Sequence, residues 1–201
     1  MELAIRARGM TPIQETDKRL LSRLARGDVG ALESLYERHA RAIFAFLCRL
    51  IVDAPIAEEL LQETFLAAWH SSATFQGRSS VRTWLFGIAH NKAGHWLRRR
   101  RPQPLDEDQD IPDPSPSVSE LADAAWEQDR VTAALAQLPT TQHAVLELTF
   151  YHGLAYAEIA EILDCPVGTV KSRAYLARRR LAQLLADLAD PTDRRERNDE
   201  R

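Results

Sequence analysis

The chain has 201 residues, 45% of them hydrophobic and 27% charged, and a formal net charge of −3, which suits one large or two small soluble domains. Its two cysteines, Cys48 and Cys165, are far apart and fall in no CxxC or Cys/His ligand spacing, so neither a disulfide framework nor a zinc site is indicated. The opening stretch MELAIRARGM has too short an apolar run for a secretory signal, and no segment approaches the ~18 apolar residues of a membrane span, so the expected location is cytoplasmic.

Residues 1–16 form an N-terminal extension with no clear structural task, in which Met10 is a second possible start. From Asp17 the apolar residues recur at three- and four-residue spacing, and this predicts four helices through residue 101. The first is DKRLLSRLARGD. The second, GALESLYERHARAIFAFLCRLIV, carries Leu32, Leu35, Tyr36, Ile43, Phe46, Leu47 and Leu50 on one stripe. Pro55 permits a new start, and IAEELLQETFLAAWHS follows with Leu61, Phe65, Ala68 and Trp69 inward. A polar loop, SATFQGRSS, leads into VRTWLFGIAHNKAGHWLRRRR, where Gly94 is a local weakness worth ~1 kcal/mol against alanine.

Residues 102–119 change character. PQPLDEDQDIPDPSPSVSE, residues 102 to 120, holds five of the ten prolines, six carboxylates and no Lys or Arg, so an extended, solvated linker is expected there. A second unit, 120–188, begins with an amphipathic helix to Leu138, breaks at Pro139 and resumes in TQHAVLELTFYH. Next, Tyr156, Ile159, Ala160 and Leu163 define the apolar face of a short helix, DCPV interrupts it, and a further helix starts at Gly168-Thr169. Two short helices joined by a tight turn are the helix-turn-helix pattern. A charged tail, 189–201, ends the chain. The fold class expected is all-α, in two small helical domains.

The acidic net charge hides two cationic blocks. No acidic residue lies between Glu63 and Asp106, a span that holds Arg78, Arg82, Lys92 and Arg98 to Arg101. Cys165 to Ala186 is equally free of acid and holds Lys171, Arg173, Arg178, Arg179 and Arg180. Advancing about 100° per residue from Val170 brings Ala174, Ala177 and Leu181 within about 40° of it, toward a core. Ser172, Tyr175 and Arg179 then point outward, with Lys171 and Arg178 flanking one side and Arg173 and Arg180 the other. A polar ridge between two rows of cations matches a DNA major groove, with base edges on its floor and phosphates on its walls. Ser172 and Arg173 are placed for base edges; Lys171, Arg178 and Arg179 are placed for phosphates.

These stretches, from about Asp17 to Leu185, resemble the extracytoplasmic-function sigma factors, the small two-domain initiation subunits of bacterial RNA polymerase. AEELLQETFLAAW resembles the family's polymerase-binding helix, TWLFGIAHNKAGHWLRRRR its −10-reading helix, and LAYAEIAEILDCPVGTVKSRAYLARRRL its −35-reading helix-turn-helix. Two positions depart from the family pattern: Ala155, where a capping Ser or Thr is usual, and Asp164, where glycine is common at the turn.

The resemblance implies partners and site residues. Glu59, Gln62 and Glu63 match the face that docks on clamp helices of the largest polymerase subunit; region 4 faces the flap of the second-largest. The loop resembles the element that captures a base flipped from the −10 duplex. It supplies Phe75, Gln76, Arg78 and Ser80, with Arg82, Trp84, Asn91 and Lys92 on the helix behind and Arg98 and Arg99 gripping phosphate. Trp84 shares a side with Val81, Leu85 and Ile88 and fits packing as well as stacking. Thr169, Lys171, Ser172, Arg173, Tyr175, Arg178 and Arg179 form the −35 set. The linker resembles the connector that threads polymerase channels, and an anti-sigma partner is usual in the family.

Two other function classes bear on the same residues. The six histidines, His39, His70, His90, His95, His143 and His152, are scattered, and no HExxH, GxSxG or Gly-rich phosphate loop occurs, which argues against an enzyme and against a metal or other cofactor. A stand-alone helix-turn-helix regulator would use the second unit and leave the first unexplained.

Overall fold

The computed structural model describes residues 15–100 and 123–189. The linker 102–119, most of the N-terminal extension and the tail past Ala189 lie outside the described residues. Every regular element among those described is helical. Four α-helices form the first unit: α1 (Asp17–Leu24), α2 (Val29–Ile51), α3 (Ala54–Ser71) and α4 (Val81–Arg100). The second unit has α5 (Asp123–Ala136), α6 (Thr140–Leu146), α7 (Tyr156–Ile162) and α8 (Val167–Ala189), and α6 runs on into a π-helical turn, Glu147–Tyr151.

Short polar side chains set the helix starts. Asp28 Oδ1 accepts from the Gly30 amide at 3.1 Å to start α2, and Asp53 Oδ1 accepts from the Ile56 amide at 3.2 Å to start α3. Pro55 occupies the first turn of α3, where its missing N–H costs nothing. Between α2 and α3 the chain reverses at Val52, whose φ of +55° lies in the left-handed region that β-branched residues rarely adopt. A clasp ties α1 to α2: Arg38 donates to Asp17 at 2.8 Å and His39 Nε2 meets the other Asp17 oxygen at 2.7 Å. Burial raises the Asp17 pKa, but the hydrogen bonds and charges of Arg38 and His39 outweigh it and hold the carboxyl below its ordinary value.

Leu20, Leu24, Leu35, Ile43, Phe46, Leu47, Phe65, Leu85 and Phe86 fill the first unit's interior. In the second unit, Val170, Ala174 and Ala177 are buried where α8 packs on α5, α6 and α7, as the helical-wheel reading requires, and Leu181 is half-buried.

The sequence reads as two units on a flexible tether, and the structure adds that they touch. α4 packs along α7, and one apolar core runs through both, from Phe46 and Phe86 to Leu148, Ile159 and Ile162. His152 closes this seam, with its ring 4.8 Å from Phe86 and 6.0 Å from Phe46. Burial holds the His152 pKa below the ordinary imidazole range, opposed by Glu147 and assisted by the charges of Arg82 and Arg49. His90 on α4 is lowered by burial and then by the charges of Arg173 and Arg98.

A pH dependence follows. Both histidines have folded pKa values below the unfolded value of about 6.5, so the unfolded chain takes up protons first as pH falls. Stability should therefore be full above about pH 6.5 and decline below it, by at most ~1.4 kcal/mol per pH unit for each histidine. Urea denaturation at pH 7.5 and 5.5 should show this loss, and His152→Asn should flatten the dependence.

Candidate nucleic-acid interface

α3 presents Glu59 and Gln62 to solvent, while Leu61 and Phe65 on its other side are buried. Glu63 shares the outer face but is half-buried, because its Oε2 accepts from Lys92 Nζ of α4 at 2.8 Å. A residue assigned to polymerase and one assigned to DNA are thus paired. Leu66, one turn further along α3, is 52% exposed and puts an apolar side chain beside the polar three. The sequence reading passed over Leu66 because the stripe of α3 is broad and its apolar positions read as core.

The loop from Phe75 to Ser80 turns at Gly77, whose φ of +69° favours glycine. Arg78 and Gln76 are exposed. Phe75 is half-buried and packs on Trp84, ring centroids 5.1 Å apart and planes inclined by 53°. Trp84 is therefore engaged in packing, consistent with its place beside buried Val81 and Leu85. The Ser80 hydroxyl caps α4: Oγ accepts from the Thr83 amide at 3.0 Å and lies 2.7 Å from Thr83 Oγ1. A groove of about 380 Å³ opens beside the loop, lined by Phe75, Gln76 and Gly77 together with Lys18 and Ser22 of α1. The helix α1 was expected, but its place in this groove was not, since more than fifty residues separate it from the loop and only folding unites them.

Along α4, Asn91, Arg98 and Arg99 are exposed. Asn91, Lys92 and Arg99 line a second groove, of about 500 Å³, with His95, Trp96 and Leu60. Arg82 is placed differently from its neighbours. Its Nη2 donates to the His152 carbonyl of the second unit at 2.9 Å, and its guanidinium carbon lies 5.7 Å from the centre of the Phe86 ring.

The helix-turn-helix has the expected form with two local adjustments. Ala155 has no side chain to cap α7, but the reciprocal half of a capping box is present: Glu158 Oε2 accepts from the Ala155 amide at 3.0 Å. Asp164 takes the left-handed conformation, φ +47°, that glycine would adopt at the turn. On α8, Lys171, Ser172, Tyr175, Arg178 and Arg179 are exposed, with Tyr175 at 62%. Ser172 Oγ donates to the Thr169 carbonyl at 2.9 Å, Arg178 Nε to the Ala174 carbonyl at 3.2 Å, and Thr169 is half-buried. Arg173 is half-buried, with Nη1 at 3.8 Å from Cys165 Sγ. One flank of the ridge thus faces solvent, while Arg173 on the other is drawn in beside Cys165 of the turn.

Residues 35–103 match the family described as Sigma-70 region 2, and residues 128–181 match Sigma-70, region 4. The sigma-H factor of Pseudomonas aeruginosa is 33% identical over 186 residues, covering 87% of this chain and 96% of that protein. The ECF sigma-E factor of Haemophilus influenzae is 32% identical over 176 residues, covering 82% and 93%. The chain belongs to the ECF sigma factors of the sigma-70 family. Among solved structures, the sigma factor RpoE of Bartonella quintana, in complex with the anti-sigma factor NepR, matches with a TM-score of 0.62 and 28% identity, covering 77% of this chain and 96% of that one. The ECF sigma factors direct RNA polymerase to promoters and are initiation factors rather than enzymes, and no comparison favours a stand-alone regulator. Among the described residues, no helix is long and apolar enough to cross a membrane.

The different duties of two neighbours in the region 2 loop can be separated. Phe75→Ala removes a packed ring and should cost about 2 kcal/mol, whereas Gln76→Ala, on an exposed side chain, should stay within about 0.5 kcal/mol. Urea denaturation of both variants checks the difference.

Proposed function

We propose that this ECF sigma factor divides promoter recognition between two basic surfaces and holds the polymerase with a third, mostly acidic one. The observation that carries the assignment is α8: its apolar stripe is buried and its opposite face is exposed, cationic and free of acid. Lys171, Arg178 and Arg179 neutralise phosphates on the −35 element, Ser172 and Arg173 reach base edges near the helix start, and Thr169 and Tyr175 border them. Phosphate contacts of this kind act at every sequence and weaken with salt, because each one releases condensed counterions.

In region 2, the groove beside Phe75, Gln76 and Gly77 has the donors and the aromatic plane that an unstacked −10 base requires, and Lys18 and Ser22 supply its far wall. Arg78, Ser80, Arg82, Asn91, Lys92, Arg98 and Arg99 extend that surface along α4, with Trp84 supporting Phe75 from behind. Glu59 and Gln62, with Glu63 and the exposed Leu66, form the face for clamp helices of the largest polymerase subunit; acidic groups around an apolar contact suit a basic partner. Region 4 meets the flap of the second-largest subunit. The acidic linker, 102–119, follows the polymerase channel, imitating the charge of RNA. Residues 17–101 and 120–188 are the working domains, and the chain acts in the cytoplasm. An anti-sigma factor is a further partner, as it is for the Bartonella quintana protein.

Two variants of the full chain test the division. Glu59→Lys with Gln62→Lys should abolish capture of core polymerase in a pull-down and leave the fold intact, since both side chains are exposed. Arg178→Ala with Arg179→Ala should capture core normally but lose initiation that depends on the −35 element. The log–log salt slope of promoter binding should fall by roughly 0.9 per lost contact. Wild-type capture by the lysine variant, or an unchanged slope in the alanine variant, would contradict the assigned faces.

A further inference from the structure

Leu176 is a large apolar side chain on α8, and it is 48% exposed. Single exposed leucines are common on protein surfaces and call for no explanation. This one differs by its neighbours. At about 100° per residue Leu176 lies about 40° around the helix from Ser172 and about 60° from Arg179. Both of those are exposed, whereas Val170, Ala174 and Ala177 form the buried stripe on the other side. Leu176 therefore belongs to the ridge that faces the DNA groove.

The polar groups around it leave the middle of that ridge short of donors. Ser172 Oγ donates to the Thr169 carbonyl at 2.9 Å and keeps its oxygen only as an acceptor. Arg178 Nε is held by the Ala174 carbonyl at 3.2 Å. Arg173 is half-buried, with Nη1 at 3.8 Å from Cys165 Sγ. Leucine itself can neither donate nor accept. In the major groove the standard bases present nitrogen and oxygen groups, and the one methyl among them is the C5-methyl of thymine. Opposite a purine or cytosine edge, a leucine would strip water from hydrogen-bonding groups and give nothing back. Opposite a thymine it covers apolar surface on both partners. The discrimination thus works in both directions.

We propose that Leu176 is a specificity-determining residue of region 4, which selects thymine at one position of the −35 element by packing on its C5-methyl. The inference rests on the assignment of α8 to that element. It adds a base preference, which the phosphate contacts of Lys171, Arg178 and Arg179 cannot supply.

The test uses the full chain reconstituted with core polymerase. Upstream elements are selected from a randomised promoter pool, and each thymine in the selected element is then replaced by deoxyuridine, which removes the methyl and nothing else. One such replacement should weaken binding by wild-type holoenzyme about fourfold, the factor that burial of one methylene-sized group gives. With cytosine at that position, 5-methylcytosine should bind more tightly than the unmethylated base. Leu176→Ala should bind the thymine and deoxyuridine duplexes alike, while Leu176→Met, still apolar and of similar size, should keep the penalty. The salt slope should be unchanged in both variants, because no phosphate contact is lost. Circular dichroism should show wild-type helicity, since the side chain is exposed.

A deoxyuridine penalty in Leu176→Ala as large as in the wild type would overturn the inference, as would a selected element in which no thymine methyl affects wild-type binding. Weaker capture of core by Leu176→Ala with base selection intact would make the leucine a polymerase contact and overturn it too. A failure of the −35 assignment itself would look different: the parent holoenzyme would enrich no upstream element at all.

Discussion

α4 has to serve three surfaces with one helix, and most of the structure follows from that constraint. One side enters the region 2 core through Val81, Leu85, Phe86, Ala89 and Ala93. A second meets α7 of region 4, where Gly87 faces the Ile162 backbone. The third turns Asn91, Arg98 and Arg99 to solvent, with Lys92 half-buried beside them. A helix used this way cannot be strongly amphipathic. It keeps its place through neighbours: the Ser80 cap, the Phe75–Trp84 contact and the Lys92–Glu63 pair.

Charge explains how a chain with net charge −3 approaches a polyanion. Acid is absent from 64–105 and from Cys165 to Ala186, and concentrated between them in the linker. The local field at each reading surface is positive even though the sum is not, and at physiological salt screening over about 8 Å makes the local field the one that matters. Exposed ion pairs contribute little to stability, so Lys171, Arg178 and Arg179 can stand without an acidic partner among the described residues at small cost to the fold.

Much of this was legible in the sequence because it depends on short-range periodicity. The four helices of region 2, the break at Pro139 and the buried stripe Val170–Ala174–Ala177 all follow from apolar spacing and turn residues, and the structure has them. Asp164 was visible as a departure, and its left-handed φ shows what the turn demands. What periodicity misses is long-range. The wall that Lys18 and Ser22 give to the loop groove depends on how α1 packs, and the capping role of Ser80 competes with its reading as a DNA contact. The seam was the largest omission: an acidic, proline-rich tether says that two units can separate, not that they stay apart. Glu147 and His152 carried a weak signal, a carboxylate and an imidazole in an otherwise apolar stretch, but their partners Arg49 and Arg82 lie far away in sequence.

The central claim is that one chain reads two separated promoter elements, and that it does so on the polymerase. Hydroxyl-radical footprinting of a cognate promoter with reconstituted holoenzyme measures this most directly. The account predicts two protected patches about 25 base pairs apart, the upstream one lost when Arg178 and Arg179 are both replaced by alanine, and no protection by the chain alone. A single strong footprint given by the isolated chain, unchanged when core polymerase is added, would contradict it.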